Sequence, residues 1–178
     1  MKHLIILVAL LVWGWPSNLF SADTTESCFA TSKNWCYDEE KDDFDDSITY
    51  YVIAINRVSR DIFVLSCDTT KNSFHIGFLS ADLDLSPYIF TNATLKIKVG
   101  KGGLATSFNG DTLDKAIVSL IPKIRLYEIV DTLMDTHSRE ELRVRVTNSG
   151  SILKTARFAL TDARNALSRF ANSCQFIN

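Results

Sequence analysis

The chain has 178 residues, of which 46% are hydrophobic and 11% aromatic, and its formal net charge is −2. A chain this apolar can bury a core, which excludes a disordered tail. The near balance of acidic and basic residues gives no general support for nucleic-acid binding, which depends on clustered Lys and Arg, so we expect no nucleic-acid partner.

The N-terminus has the pattern of a secretory signal. A short basic start at residues 1–3 precedes an apolar run over residues 4–15, which Pro16 interrupts. About a dozen apolar residues are too few to cross roughly 30 Å of hydrocarbon as a permanent helix. We therefore predict a signal peptide at 1–22 and a single domain at 23–178, with an N-terminal anchor if the peptide stays uncleaved and no other membrane span.

All four cysteines follow the predicted signal peptide, at Cys28, Cys36, Cys67 and Cys174. An even number of cysteines in an exported chain favours disulfides over free thiols, and three pairings are possible. A four-thiolate zinc site would need closely spaced Cys-x-x-Cys pairs, which the chain lacks. We predict that all four cysteines form disulfides.

The segment 38–46 holds seven acidic residues and one lysine. Such a run repels itself and stays hydrated, so it is predicted to be an exposed loop. A calcium-binding EF-hand loop would need a glycine at its sixth position and a distal glutamate, and neither is present. The candidate partner-binding residues here are Asp42, Asp43, Asp45 and Asp46, with a purely solubilising loop as the alternative.

The next part of the chain is rich in strand patterns. Residues 48–55, 62–67 and 73–79 are β-branched and aromatic, and polar links separate them, which predicts an antiparallel meander. Residues 93–99 alternate apolar and polar side chains, which predicts a strand with one buried face. The glycines at 100–103 then make a turn rather than a phosphate-binding loop, because no Ser or Thr and no helix follow them.

Two helices and three further strands are expected beyond this turn. Residues 115–121 predict a strand that Pro122 ends, and 141–147 with 152–160 predict a hairpin. A mid-chain helix to Asp135 is indicated by apolar residues at three- and four-residue spacing: Ile124, Tyr127, Val130, Leu133 and Met134.

The C-terminal helix is predicted at residues 162–174, with Thr161 as its N-cap. One apolar stripe runs along it, formed by Ala163, Ala166, Leu167, Phe170 and Cys174. This stripe directs Cys174 toward the sheet, where Cys67 could meet it.

The sequence offers little support for catalysis. The expected mature chain keeps two histidines, His75 within a predicted strand and His137 in the loop 135–139. Neighbouring Asp, His and Ser residues cannot form a triad by themselves, because triad side chains converge from separate elements. Neither a Gly-x-Ser-x-Gly nor a His-Glu-x-x-His motif occurs. We predict no enzymatic activity, no cofactor, and no catalytic or metal site.

Several short motifs resemble one protein family. The chain has Cys28, then Cys36-Tyr37-Asp38, Asp45-Asp46-Ser47 before a strand, a strand that ends in Leu65-Ser66-Cys67, and a segment 156–160 leading into a helix that closes with Cys174. This series resembles the exported proteins associated with type VI secretion, of the VasI/TagO type. The chain departs from the family pattern at Asn34-Trp35, Ser66 and residues 95–98.

The resemblance implies a periplasmic accessory role without catalysis, through a protein partner in the cell envelope. The alternative is a periplasmic inhibitor or immunity protein that blocks a cell-wall hydrolase or another toxin. The expected contact surfaces are the segments 38–46, 82–92 and 101–112.

The predicted fold is a single α+β domain. It has a mainly antiparallel sheet or small sandwich, a helix at about 123–135, and a C-terminal helix that packs on the sheet and is joined to it by a Cys67–Cys174 disulfide.

Overall fold

The computed structural model describes residues 28, 32–85 and 93–176. The chain divides into two units, residues 1–32 and 33–178, and the fold described below is that of the second. The predicted signal peptide at 1–22 lies outside the described residues.

The second unit is an α+β fold, as predicted. Its strands are β1 (Trp35–Lys41), β2 (Ile48–Asn56), β3 (Asp61–Asp68), β4 (Ser73–Leu79), β5 (Ala93–Val99), β6 (Ala105–Leu113), β7 (Ala116–Leu120), β8 (Glu141–Asn148) and β9 (Ser151–Ala159), and its helices are α1 (Lys123–Asp135) and α2 (Ala163–Ser173). The nine strands form one antiparallel sheet in the order β1-β2-β3-β4-β7-β6-β5-β8-β9.

One face of the sheet supplies the main core. Strand β5 shows why, because Leu95, Ile97 and Val99 are buried while Lys96 and Lys98 between them are exposed. The same alternation continues on β8, and both helices add their apolar side chains to this cluster. A period of two residues places every second side chain on one face, so the pattern of β5 predicted from the sequence is confirmed.

Strands β2 and β3 are buried on both faces. Val52 and Phe63 belong to the main core, whereas Ile53 and Val64, the next residues along each strand, are also buried but point to the opposite face. Strands with two covered faces appear as continuous apolar runs, which explains why residues 48–55 lack a polar face.

Strand β6 joins the two halves of the sheet at Gly110. Residues before it pair with β5, and residues after it pair with β7. A Cβ atom at Gly110 would lie 2.7 Å from the carbonyl oxygen of Val118 and from Cγ1 of Ile117. Only glycine allows the backbones to approach this closely where the strand changes partners.

The sheet curls until its last strand, β9, meets β1 and β2. The indole Nε1 of Trp35 donates to the carbonyl of Ala159 at 2.7 Å, and Nδ2 of Asn56 donates to the carbonyl of Arg157 at 3.0 Å. Phe158 packs between the layers against Phe63, with ring centroids 6.1 Å apart. Side-chain donors thus cover the edge of β9, an edge that would otherwise be open to pairing with another strand.

Helix α1 lies where the sequence predicted it. Its buried stripe consists of Leu126, Ile129, Val130 and Leu133. Val130 and Leu133 belong to the apolar spacing that indicated the helix, whereas Ile124 and Tyr127 from the same set are exposed. The spacing therefore identified the helix but not which of its apolar side chains face the sheet.

Helix α2 confirms the predicted stripe but corrects its start. Ala163, Ala166, Leu167 and Phe170 are buried, as expected. The N-cap position belongs to Asp162, whose φ of 66° is left-handed and which makes no side-chain capping bond, so the prediction of Thr161 as the cap was wrong. Aspartate is one of the few non-glycine residues that adopts this conformation at modest cost.

The predicted disulfide between Cys67 and Cys174 is present, with Cα atoms 6.1 Å apart. It joins β3 to the residue that follows α2. Cys28 and Cys36 are disulfide-bonded as well, so no cysteine is free. Two disulfides indicate an oxidising compartment outside the cytoplasm.

The acidic run, which was predicted to be an exposed loop, is partly a strand, because residues 38–41 belong to β1. The expected contact surface 101–112 is also largely a strand, since residues 105–112 belong to β6. The acidic side chains of β1 lower its strand propensity, but pairing with β2 along its whole length holds it extended.

Candidate interaction site

The strongest candidate site is the turn between β1 and β2, formed by residues 42–47 and called here the acidic tip. The N–H of Asp42 donates to the carbonyl of Ser47 at 2.8 Å, and the N–H of Asp46 donates to the carbonyl of Asp42 at 3.0 Å. Asp46 adopts a left-handed φ of 57°. These bonds close the turn and fix the path of its backbone.

Two aspartate side chains reinforce the turn from within. The carboxylate of Asp42 accepts the N–H of Phe44 at 2.8 Å, and that of Asp45 accepts the N–H of Ser47 at 3.0 Å. Both are Asx-type bonds, in which a carboxylate replaces a backbone acceptor two residues along the chain. These aspartates therefore shape the tip in addition to charging it.

Lys71, from the turn between β3 and β4, ties the tip to the sheet. Its Nζ lies 2.9 Å from Asp45, 3.6 Å from Asp42 and 3.8 Å from Asp68. Hydrogen bonds from Ser47 and Lys71 lower the pKa of Asp45 to about 2. The Asp45 hydrogen bond in turn raises the pKa of Lys71. At neutral pH Asp45 is therefore ionised, and hydrogen bonds and Lys71 hold the tip as a closed turn.

Phe44 stands at the apex of this ordered turn and is fully exposed. Its backbone N–H is held by Asp42, so the direction in which the side chain leaves the turn is set by the tip. An aromatic side chain flanked by two aspartates on each side can enter an apolar socket whose rim is basic. The sequence shows that Phe44 lies within the acidic run, but only the structure shows that its side chain is completely exposed.

The structure brings all four predicted partner-binding aspartates together in the tip and gives them different roles. Asp42 and Asp45 form the turn, and Asp46 lies 2.5 Å from Nζ of Lys41. Asp43 is exposed and, in the described part of the chain, has no ion pair. Asp43 and Phe44 are therefore the groups most available to a partner.

The other predicted contact surfaces are less favourable. Of the segment 82–92, only residues 82–85 are described, and Leu83 and Leu85 are buried. The segment 101–112 is largely strand β6. Residues 101–103 form an exposed turn, but in the described parts of both segments no exposed aromatic side chain comparable with Phe44 is present.

The two histidines lie on different elements. His75 is on β4, where its Nε2 is 3.3 Å from Oγ of Ser73, and His137 is in the loop between α1 and β8. Burial lowers the pKa of His75, although the charge of Asp68 opposes this. Ser66 is opposite His75 on β3, but its buried hydroxyl makes no hydrogen bond to any described group.

Sequence reasoning missed a second charged surface, on the outer face of β5, β8 and β9. Five cationic side chains point outward there: Lys96, Lys98, Arg143, Arg145 and Arg157. They line a groove of about 550 Å³ whose lining contains no acidic residue. We call it the basic groove. The sequence shows only that Lys96 and Lys98, and likewise Arg143 and Arg145, occupy every second position of a strand. Pairing of β5 with β8 then places these two pairs side by side on one face of the sheet.

Within the residues described, no cluster of three or more His, Cys, Asp or Glu side chains is arranged to hold a metal ion. Neither helix of the described chain is both long and apolar enough to span a membrane.

Comparison with protein-family models, curated proteins and solved structures finds no match to this chain. The resemblance to type VI secretion proteins therefore stays a prediction from short sequence motifs.

Proposed function

We propose that this chain is a non-catalytic, periplasmic binding protein that acts as an accessory component of a type VI secretion apparatus and contacts its partner through the acidic tip. The observation that carries the binding role is the full exposure of Phe44 on a turn that hydrogen bonds and Lys71 hold in place. The periplasmic location is supported by the two disulfides and the predicted signal peptide.

Order in the tip matters because a preformed binding element loses little conformational entropy when it meets its partner. The Asx-type bonds of Asp42 and Asp45 supply that order. An aromatic anchor enclosed by a partner's pocket commonly dominates the binding energy of an interface, and the surrounding aspartates would set orientation and the rate of encounter.

The first test is site-specific photocrosslinking in envelopes of the source cells. Benzoylphenylalanine replaces Phe44 in one variant and Val58 in the other, since Val58 is almost fully exposed on the turn between β2 and β3. We expect crosslinks to envelope components of the secretion apparatus from position 44 and not from position 58. Equal crosslinking from both positions, or none from position 44, would contradict the proposal.

Substitution of the anchor tests the same contact by affinity. Phe44→Ala should weaken binding to the crosslinked partner by roughly tenfold or more, because an enclosed aromatic side chain is lost. Val58→Ala serves as the control and should leave the affinity unchanged. Both side chains are exposed, so neither substitution should alter the unfolding transition.

A second candidate is an inhibitor or immunity protein, favoured by the way the tip projects an aromatic side chain between carboxylates. Such a tip can enter the cleft of a basic hydrolase or toxin. This function predicts an association rate that falls steeply with salt and that Asp43→Asn reduces. Asp43 is the cleanest of the four aspartates to neutralise, because Asp42 and Asp45 also hold the turn. Capture of one hydrolase whose activity the protein blocks would establish this function and reject the accessory role.

A further inference from the structure

The basic groove concentrates positive charge on one face of an acidic protein. In the sheet register, Lys98 is opposite Arg143, and Arg143 is opposite Arg157, so three cations lie in one row across three strands. Lys96 and Arg145 form a second row. Like charges directly across a sheet repel one another, so an anion bound between these strands would relieve the repulsion of several cations at once.

The protein itself neutralises little of this charge. In the described chain the ion pairs of the groove are those of Glu141, whose Oε2 lies 3.7 Å from Nε of Arg143 and 3.7 Å from a terminal nitrogen of Arg157. Charged hydrogen bonds are shorter, at about 2.7–2.9 Å. One carboxylate held at this longer distance leaves the guanidinium groups able to bind a closer anion.

Small side chains beside the cations create the depth of the groove. Ala105 and Ser107 on β6 are opposite Lys98 and Lys96, and Thr155 on β9 is opposite Arg145. The long cationic side chains therefore stand around a floor of short ones. Its volume of about 550 Å³ falls within the range of about 300–1,000 Å³ that is usual for small-ligand sites.

We propose that the basic groove binds a ligand that carries two or more phosphate groups. Adjacent strands place Arg143 and Arg157 about 4.8 Å apart at the backbone, so one phosphate could accept hydrogen bonds from both guanidinium groups. Arginine presents several donors in a planar fork that matches phosphate oxygens, and the lysines add charge at the other strand. The second row, Lys96 and Arg145, would hold a second phosphate roughly 7 Å along the strands.

This site is separate from the acidic tip in both position and charge. The tip joins β1 to β2, whereas the groove lies on β5, β6, β8 and β9. A phosphate ligand would not compete with a partner bound at the tip, so each proposal can fail without the other.

The test measures binding of two probes to the oxidised protein by calorimetry and vesicle sedimentation. The first probe is inorganic tripolyphosphate, and the second is vesicles of cardiolipin, whose headgroup carries two phosphates, in phosphatidylcholine. Arg143→Gln with Arg157→Gln removes two groove cations. The matched control, Arg125→Gln with Arg164→Gln, removes two exposed arginines from helices α1 and α2, which pack on the opposite face of the sheet.

We expect the protein to bind tripolyphosphate with an affinity that falls as salt rises. The groove variant should bind roughly tenfold more weakly or worse, because two charged hydrogen-bonding groups are lost, and the control variant should bind like the original protein. Preference for tripolyphosphate would indicate a soluble phosphorylated ligand, and preference for anionic vesicles would indicate a phospholipid headgroup.

Three results would overturn the proposal. The first is failure to bind either probe at low salt, and the second is equal loss of affinity in the groove and control variants. The third is self-association at low salt that both Asp43→Asn and the groove variant abolish, since the groove would then receive the acidic tip of another copy. Sedimentation velocity measures this last outcome directly.

Discussion

At the scale of single residues, the aspartates of the acidic tip are explained by backbone geometry as much as by charge. Asp42 and Asp45 accept backbone N–H groups, and Asp46 takes a left-handed conformation that aspartate tolerates better than most residues. A sequence dense in aspartate was expected to be a solvated, self-repelling loop. The structure shows a closed turn, because local hydrogen bonds and Lys71 offset the repulsion.

The low pKa of Asp45 predicts how the tip responds to acid. Its pKa of about 2 in the folded protein lies below the ordinary value of 3.8, so ionised Asp45 stabilises the fold at pH values above about 4. That stabilisation is lost as the pH falls from about 4 through 2. Asp45→Asn should therefore lower the free energy of unfolding at pH 7 and have progressively less effect as the pH falls toward 2.

Urea unfolding of both proteins at pH 7 and near pH 2 measures this difference. Asp43→Asn is the matched control, because Asp43 makes no ion pair among the described residues and its substitution should have little effect at either pH. An effect of Asp45→Asn that is the same size at both pH values would show that the carboxylate charge does not stabilise the tip.

At the scale of secondary-structure elements, the sequence predicted those elements whose apolar pattern is visible within the element itself. Strand β5 alternates cleanly and helix α2 has a clear apolar stripe, and both were placed correctly. Strand β1 was missed because contacts from distant residues stabilise it. The hydroxyl of Tyr51 on β2 donates to Glu40 at 3.1 Å, and the guanidinium of Arg169 on α2 stacks 4.3 Å from the ring centre of Tyr37. No pattern within residues 35–41 contains that information.

The closure of the sheet depends on a charged contact between β9 and β3. Nζ of Lys154 lies 3.3 Å from the carboxylate of Asp61, which is almost completely buried, and 3.1 Å from that of Asp82. Burial lowers the pKa of Lys154, but the hydrogen bond to Asp82 and the charge of Asp61 outweigh it and raise the pKa overall. Lys154 is therefore charged at neutral pH and compensates the buried carboxylate.

Lys154→Met should lower the free energy of unfolding by about 2 kcal/mol, because Asp61 would remain buried without its cation. This is less than the roughly 3–5 kcal/mol of a fully buried pair, since the Lys154 side chain keeps 16% of its exposure. Lys96→Met, on the outer face of β5, is the control and should change stability by less than about 0.5 kcal/mol. If Asp61→Asn combined with Lys154→Met is no more stable than Lys154→Met alone, the buried charge is not the cause.

At the scale of the whole chain, two properties depend on which distant residues the sheet brings together. The net charge of −2 gave no hint of the basic groove, because its five cations are spread over residues 96–157 and become neighbours only through the pairing of β5, β8 and β9. The strand order also depends on distant residues. Strand β7 lies between β4 and β6, and no pattern within a single strand predicts this position.

The Cys67–Cys174 disulfide shows how such a distant connection contributes to stability. The cysteines are 107 residues apart, so the bridge restricts most of the described chain when it unfolds. Loop closure of this length stabilises the folded state by about 4–5 kcal/mol in the chain-entropy model. The aromatic ring of Phe176, just beyond the bridge, packs against Phe170 and Phe74, so this end of the chain is also held by apolar contacts.

Replacement of both Cys67 and Cys174 by alanine should therefore leave the same fold with a free energy of unfolding lower by about 4–5 kcal/mol. Guanidinium unfolding of the oxidised variant, with far-ultraviolet circular dichroism of its folded baseline, measures both quantities. Because loop entropy acts on the unfolded chain, the unfolding rate should change less than the folding rate if β3 and α2 meet before the transition state. A loss of stability below about 1 kcal/mol would mean that the unfolded chain already keeps these ends together, and the apolar contacts of Phe176 would then explain the docking of α2 without the bridge.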